Sequence, residues 1–327
     1  MSKISIIYYL SQEVMNLKTS LNSLFNINNL KDHELIFIND DVNENVIKIW
    51  QTELSKYNDL NYQIVNVSQS LGMSEAYNLG VRVASGEFSL LTNQLINFKP
   101  SILDELTAQL EKLDDDVGVL NFLIDEPAFY DQKKDMADNK DANLLIYDKL
   151  HIDLIIKGSL NFYDKLFRTK LLVDNKLKFN VTHYQPGLFI LKVYGKTNKC
   201  AVYKKILAKR RKEISLGNNI YDVLFQINQF SQLKEYNKWT DKYQYELEFI
   251  AILMSMYHFV SLVLHSNFSD RDKRNAIKIS NEMLLRFFPK YEKNKFINEI
   301  QNEHWRNYFL KFKPKLAWIQ TKFDADK

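Results

Sequence analysis

The sequence predicts an α/β fold, a mostly parallel sheet flanked by helices, followed by a region that is helical throughout. Three observations predict it. Apolar runs of strand length alternate with segments of helical periodicity from Ile4 to Leu123. Asn39 to Asp41 and Asn93 to Ile96 both sit at the carboxyl ends of strands. From about Leu216 onward only helical spacing remains.

Each element has its own reason. Ile4 to Leu10 (ISIIYYL) is almost continuously apolar, as a strand covered on both faces must be. Val14, Leu17, Leu21, Leu24 and Phe25 then recur at helical spacing. Glu34 to Ile38 (ELIFI) is a second strand, Val46 to Tyr57 a helix, and Tyr62 to Val67 a third strand. Met73 to Ala84 is a helix, Phe88 to Leu91 a strand, Ile102 to Leu113 a helix, and Val117 to Leu123 a strand. Asp125 to Asn143 is polar and charged, which predicts a surface loop. Ile152 to Ile156, Phe162 to Leu172 and Tyr184 to Tyr194 complete the first domain, with Cys200 to Tyr203 as an edge segment. The expected division is residues 1–215 and a helical region at 216–327 that serves packing, oligomerisation or partner docking. Right-handed crossovers place a ligand site at the carboxyl ends of the parallel strands.

Composition narrows the function classes. The chain has 327 residues, 46% of them hydrophobic and 26% charged, so it can bury a large core. One cysteine, Cys200, excludes an intrachain disulfide and any cysteine-based zinc site. The strand at Ile4 leaves no room for a signal-peptide cleavage pattern, so the expected location is the cytoplasm, extending to the inner face of a membrane. Phe249 to Leu264 is the most apolar run, shorter than the ~20 residues a spanning helix needs, which predicts a buried core helix with at most peripheral membrane contact. The net charge is +4, and the positive excess gathers after Asn267. Acidic residues interleave there and Trp305, Tyr308 and Trp318 fall at core spacing, which argues against a nucleic-acid partner.

Four ordered segments carry a resemblance. ISIIYYLSQE with LKTSLNSLF, ELIFINDD, SLGMSEAYNLGVRVASGEF, and DKLFRTKLLVDNKLKF resemble the glycosyltransferases of family 2, which have the GT-A fold. The resemblance covers about residues 3 to 215. It implies a nucleotide-diphosphate sugar, transferred to a hydroxyl with inversion. It further implies a divalent ion on carboxylates to neutralise the leaving diphosphate and a carboxylate base. The nucleotide would meet Ser11, Glu13, Asp40 and Asn78, with Asn39 replacing the first aspartate of the family's pair.

Two further stations depart from the pattern, making three with Asn39. The family's metal-binding D-x-D-D falls on Asn93, Gln94, Leu95 and Ile96, none of them acidic. The family's E-D base pair falls on Gln185 and Pro186, neither able to take a proton; His183 and Asp174 are the nearest alternatives. No divalent metal or other cofactor is therefore expected. The first reading is a non-catalytic partner or regulator of an active glycosyltransferase in surface polysaccharide or glycoprotein synthesis. The second is an active, metal-independent hexosyl- or N-acetylhexosaminyl-type transferase, with Lys209, Arg210, Arg211 and Lys212 neutralising the diphosphate of a UDP-sugar or other nucleotide sugar. The C-terminal helices could also join copies of the chain.

Overall fold

A computed structural model of the chain describes residues 3–12, 15–125, 143–148, 161–179, 186–211, 220–230, 234–300 and 302–324. The polar loop expected at Asp125 to Asn143 lies almost wholly outside them, and the first-domain segment Ile152 to Ile156 lies wholly outside.

The first half alternates as its apolar pattern requires: β1 (Ile4–Leu10), α1 (Leu17–Phe25), β2 (Glu34–Asp40), α2 (Glu44–Leu54), β3 (Tyr62–Val67), α3 (Gly72–Val83), β4 (Phe88–Asn93), β5 (Ile96–Phe98), α4 (Ile102–Leu110) and β6 (Val117–Asp125). There follow β7 (Leu144–Asp148), β8 (Lys165–Arg168), α5 (Thr169–Asp174), α6 (Pro186–Tyr194) and β9 (Lys199–Arg210). The described strands form one nine-stranded sheet in the order β3-β2-β1-β4-β8-β6-β9-β5, with β7 also on β9. β1, β2, β3 and β4 pair in parallel, and β6 pairs in parallel with β9. The β4–β8, β6–β8, β5–β9 and β7–β9 pairings are antiparallel, so the sheet is mixed.

Two departures from the sequence reading concern β5 and β9. Cys200 to Tyr203 is not an edge segment: β9 is a twelve-residue strand flanked by β6 on one side and by β7 and β5 on the other. Lysines at 204, 205 and 209 hide it, because they break the apolar run. The loop expected after β4 also contains a short strand, β5, whose Ile96 pairs with Arg210.

The segments that carry the family resemblance are fastened to one another. Arg168 donates to Glu87 Oε1 at 2.8 Å and lies 4.7 Å from the Phe88 ring centre. The Asn78 amide exchanges two hydrogen bonds with the backbone of Phe179, each 3.0 Å. At Gly80 a Cβ would come within 2.3 Å of Ile7 Cγ2, so α3 lies directly on β1.

Beyond β9 the described elements are helical: α7 (Asp222–Phe230), α8 (Lys234–Ile252), a π-helical turn (Leu253–His258), α9 (Phe259–His265), α10 (Asp270–Phe287), α11 (Lys295–Glu299), α12 (Glu303–Leu310) and α13 (Leu316–Asp324). The boundary expected at 215/216 falls outside the described residues. Lys242–His265 is long and apolar enough to cross a membrane, with mean hydropathy 1.9 over its most apolar window. That window is 67% buried within the fold, with Phe249, Ile250, Phe259 and Val260 inaccessible. Trp305 and Tyr308 are core residues, and Tyr308 stacks on Trp318 at 5.6 Å.

Candidate functional site

The common direction of β1, β2, β4, β6 and β9 brings Ser11, Asn39 to Asp41, Asn93 to Gln94, and Arg210 to Arg211 to one edge of the sheet. This is where an α/β sheet places its ligand.

Asp40 ends β2 with a buried side chain. Its carboxylate accepts from Leu71 N at 2.6 Å, Gly72 N at 3.0 Å, Ser70 Oγ at 3.0 Å and Tyr9 Oη at 3.1 Å. Leu71 and Gly72 open α3, so Asp40 caps that helix from a distant strand and meets its dipole with negative charge. The chain then reverses through Asp41 at φ 55, a conformation that Asp tolerates. The Asn39 side chain bonds the Asn66 side chain at 2.8 Å and receives Val42 N at 3.3 Å.

The loop after β4 is internally tied. Asn93 Nδ2 donates to Tyr163 Oη at 2.9 Å, and its Oδ1 accepts from Leu95 N at 3.0 Å. Gln94 Nε2 donates to Ser11 Oγ. Leu95 and Ile96 are buried. Two polar atoms here have no partner: Gln94 Oε1 and Thr92 Oγ1. No set of three or more His, Cys, Asp or Glu able to hold a metal ion occurs among the described residues. An amide carbonyl and a hydroxyl can ligate a hard cation, but they bring no charge to repay dehydration of Mg²⁺. From Thr92 to Ile96 the loop brings no carboxylate.

Positive charge reaches the same loop from β9. Arg211 N donates to Leu95 O at 2.8 Å, and its guanidinium donates to Asn16 Oδ1. The Arg210 guanidinium lies 5.5 Å from the Tyr163 ring centre, close enough for a cation–π contact. Tyr163 is also the ring that Asn93 holds. Tyr9 and Tyr77 line the same region, with centroids 6.0 Å apart. Burial, then Asp40 and Tyr163, pushes the Tyr9 hydroxyl well above its ordinary range. Burial, then Tyr163 and Tyr9, does the same for Tyr77. Both remain neutral donors.

The C-terminal helices contribute a group that the sequence reading passed over. The π-helical turn packs on the start of α6: a Cβ at Gly187 would lie 3.6 Å from both Cε and Sδ of Met254. From α7, Gln226 Oε1 accepts Leu188 N at 3.3 Å and so caps α6. His258 ends the π-helical turn, partly buried, within the field of Arg210. Burial, and behind it the Arg210 charge, pushes the imidazole down to about 4, which keeps it neutral. The only hint in the sequence is a histidine within the most apolar run.

The other sequence-predicted residues fall as follows. Ser11, Asp40, Asn93, Gln94, Arg210 and Arg211 come together. Asn78 lies on α3 and is engaged by Phe179. Lys209 is exposed near the end of β9 and pairs in register with Asn97. Pro186 begins α6. Glu13, His183, Gln185 and Lys212 lie outside the described residues. Asp174 ends α5 at the opposite edge of the sheet, where it lines a cavity of about 290 Å³ with Asp115, Asp116, Arg168 and Lys196.

A mixed sheet with its ligand edge at the carboxyl ends of the first parallel strands, followed by a helical region, defines a GT-A protein. The family model for glycosyl transferase family 2 matches residues 5–189, more than half the chain, and the chain belongs to that family. No curated protein matches it in sequence. Among solved structures, S. aureus TarS 1–349 in complex with UDP-GlcNAc has a TM-score of 0.55 at 17% identity, covering 99% of this chain and 89% of that one. The same protein in complex with UDP gives 0.54 at 16%, covering 99% and 88%. The mannosyltransferase PcManGT from Pyrobaculum calidifontis, in complex with GDP-Man and Mn²⁺, gives 0.54 at 10%, covering 99% and 86%. At these identities the likeness is one of fold.

Proposed function

We propose that this chain is a metal-independent, inverting glycosyltransferase that binds a nucleotide-diphosphate sugar and neutralises the diphosphate with arginine. One observation carries the reading: the Arg211 N to Leu95 O bond and the Ile96–Arg210 pairing set two guanidinium-bearing residues against the loop that replaces the metal carboxylates. Arginine suits the task because its fork meets phosphate oxygens in pairs and never loses its charge. Two structures of the same fold hold UDP-GlcNAc and GDP-Man, which supports a nucleotide sugar as the ligand class. The setting this implies is synthesis of a surface polysaccharide or glycoprotein, in the cytoplasm or at the inner face of the membrane.

The test is calorimetric titration with UDP, UDP-GlcNAc, GDP and GDP-mannose, in Mn²⁺ and in EDTA. The expected result is binding of one nucleotide family that EDTA leaves unchanged. Arg210→Gln and Arg211→Gln should each weaken it by roughly tenfold, the ~1.4 kcal/mol of one charge-assisted hydrogen bond. Binding that requires Mn²⁺, or no binding, overturns the reading.

A second reading, the non-catalytic partner of an active transferase, is favoured by a different observation. Asp40 and Asn93, which could meet a ligand, spend their hydrogen bonds inside the fold. It requires a stable complex with a second family 2 transferase and no turnover alone.

A further inference from the structure

We propose that strand β3 is a docking edge for a second copy of this chain, the two β3 strands pairing antiparallel about a two-fold axis at Ile64. The inference is independent of whether a nucleotide sugar binds.

β3 ends the sheet and pairs only with β2 among the described strands. Leu35 N donates to Asn61 O at 2.9 Å, and the register from Leu35↔Tyr62 to Asp40↔Val67 runs without a bulge. In a parallel ladder alternate residues face the neighbour, so Gln63, Val65 and Val67 turn their main-chain groups to β2. Tyr62, Ile64 and Asn66 turn theirs to the open side, and all three residues are exposed. Such an edge is a template for another strand, and proteins blunt it with lysine, proline, a bulge or a covering element. YQIVNV has no charge, no proline and no bulge. Tyr62 is 44% exposed and Ile64 39%, so the edge is also uncovered.

Charge and symmetry select the occupant. A two-fold pairing sets each residue near the axis beside its own copy, so a charge there would meet its like. From Leu60 to Ser74 the chain holds no charged residue, although 26% of the whole is charged. Pairing centred on Ile64 puts Ile64 opposite Ile64 of the second copy and Tyr62 opposite Asn66 of the second copy. Each such pair exchanges two main-chain hydrogen bonds. Tyr62 also lies diagonal to Ile64 of the second copy on the same face, within reach of its ring. On α10, by contrast, exposed Ile279 and Leu285 stand among Lys278, Glu282 and Arg286, a face suited to water.

Sedimentation velocity of the full chain, without nucleotide, tests the pairing. Concentrations should reach about 200 µM, because a strand edge buries less than the ~1,200 Å² of a lasting interface and such pairs are weak. The expected result is a monomer–dimer equilibrium in which hydrogen exchange at the amides of Tyr62, Ile64 and Asn66 slows as the dimer fills. Ile64→Lys sets two ammonium groups side by side at the axis and should weaken dimerisation by roughly tenfold or more. Ile64→Pro removes an outward donor, spares the β2 ladder and should do the same. Ile64→Glu alone should also stay monomeric, yet mixed with Ile64→Lys it should restore the dimer, which no misfolded variant can do. Leu285→Lys should leave dimerisation within about twofold of wild type. A chain that is monomeric at every concentration overturns the proposal and leaves the edge to a strand of another protein. A dimer that survives Ile64→Lys, or that Leu285→Lys abolishes, overturns it in favour of the C-terminal helices. An Ile64→Lys and Ile64→Glu mixture that stays monomeric overturns the axis at Ile64.

Discussion

Asp40 shows how one side chain can keep its type and change its work. A carboxylate that gripped a ribose would present lone pairs to the ligand. Here Leu71 N, Gly72 N, Ser70 Oγ and Tyr9 Oη occupy them. Asp40→Asn would turn an amide hydrogen toward two backbone N–H groups at the start of α3. The expected cost is about 2 kcal/mol, a lost cap with a buried donor left facing donors. A lower urea midpoint with an unchanged slope is the measurement. Loss of UDP affinity with no loss of stability would instead show that Asp40 serves the ligand. The aspartate was legible in ELIFINDD. Its duty was not, because its partners lie some thirty residues away along the chain, Tyr9 before it and Ser70, Leu71 and Gly72 after it.

At the scale of elements, the sequence was most legible where one force dominates. β1 and β4 are covered on both faces, and their continuous apolar runs say so. β9 breaks its apolar run with lysines at 204, 205 and 209, between and after buried Val202 and Leu207, so only its first residues read as strand. The π-helical turn was invisible, since its apolar run fits an ordinary core helix equally well. It nonetheless has a measurable signature. His258 is held at about 4, below its ordinary 6.5. The unfolded chain therefore binds a proton below about pH 6.5 that the folded chain refuses until about pH 4. Stability from this group is complete above the upper value and is lost as pH falls through the window. At 1.36 kcal/mol per unit the loss is on the order of 3 kcal/mol. Urea midpoints measured between these limits should fall further for wild type than for His258→Gln. Equal falls would mean that the ring is not held neutral by its surroundings.

At the scale of the whole molecule, the two regions that the sequence separates share one continuous core, running from Ile4 to Ile319. α6 is where they join. Its Leu188, Phe189, Ile190, Leu191 and Val193 are all buried, and a helix apolar on every side needs neighbours on every side. On one side Phe189 stacks on Phe179 at 3.9 Å and meets Phe167 at 5.5 Å. Elsewhere on the helix, Gln226 caps Leu188 and Met254 closes on Gly187. The Gln226 and Met254 contacts join residues 38 and more apart, and pattern along the chain carries no trace of them. A chain ending at Arg211 would keep every described strand, yet leave α6 uncapped and its outer face in water. Each large apolar side chain so exposed forfeits about 2 kcal/mol, and two or three account for much of a domain's net stability. Such a chain should lose its cooperative thermal transition and its near-ultraviolet dichroism while keeping much of its secondary structure. A sharp transition with native aromatic signals would show that residues 1–211 fold alone. In that case the helical region would be a separately folded attachment, and the packing of Gln226 and Met254 on the start of α6 would be a docking event rather than part of the core.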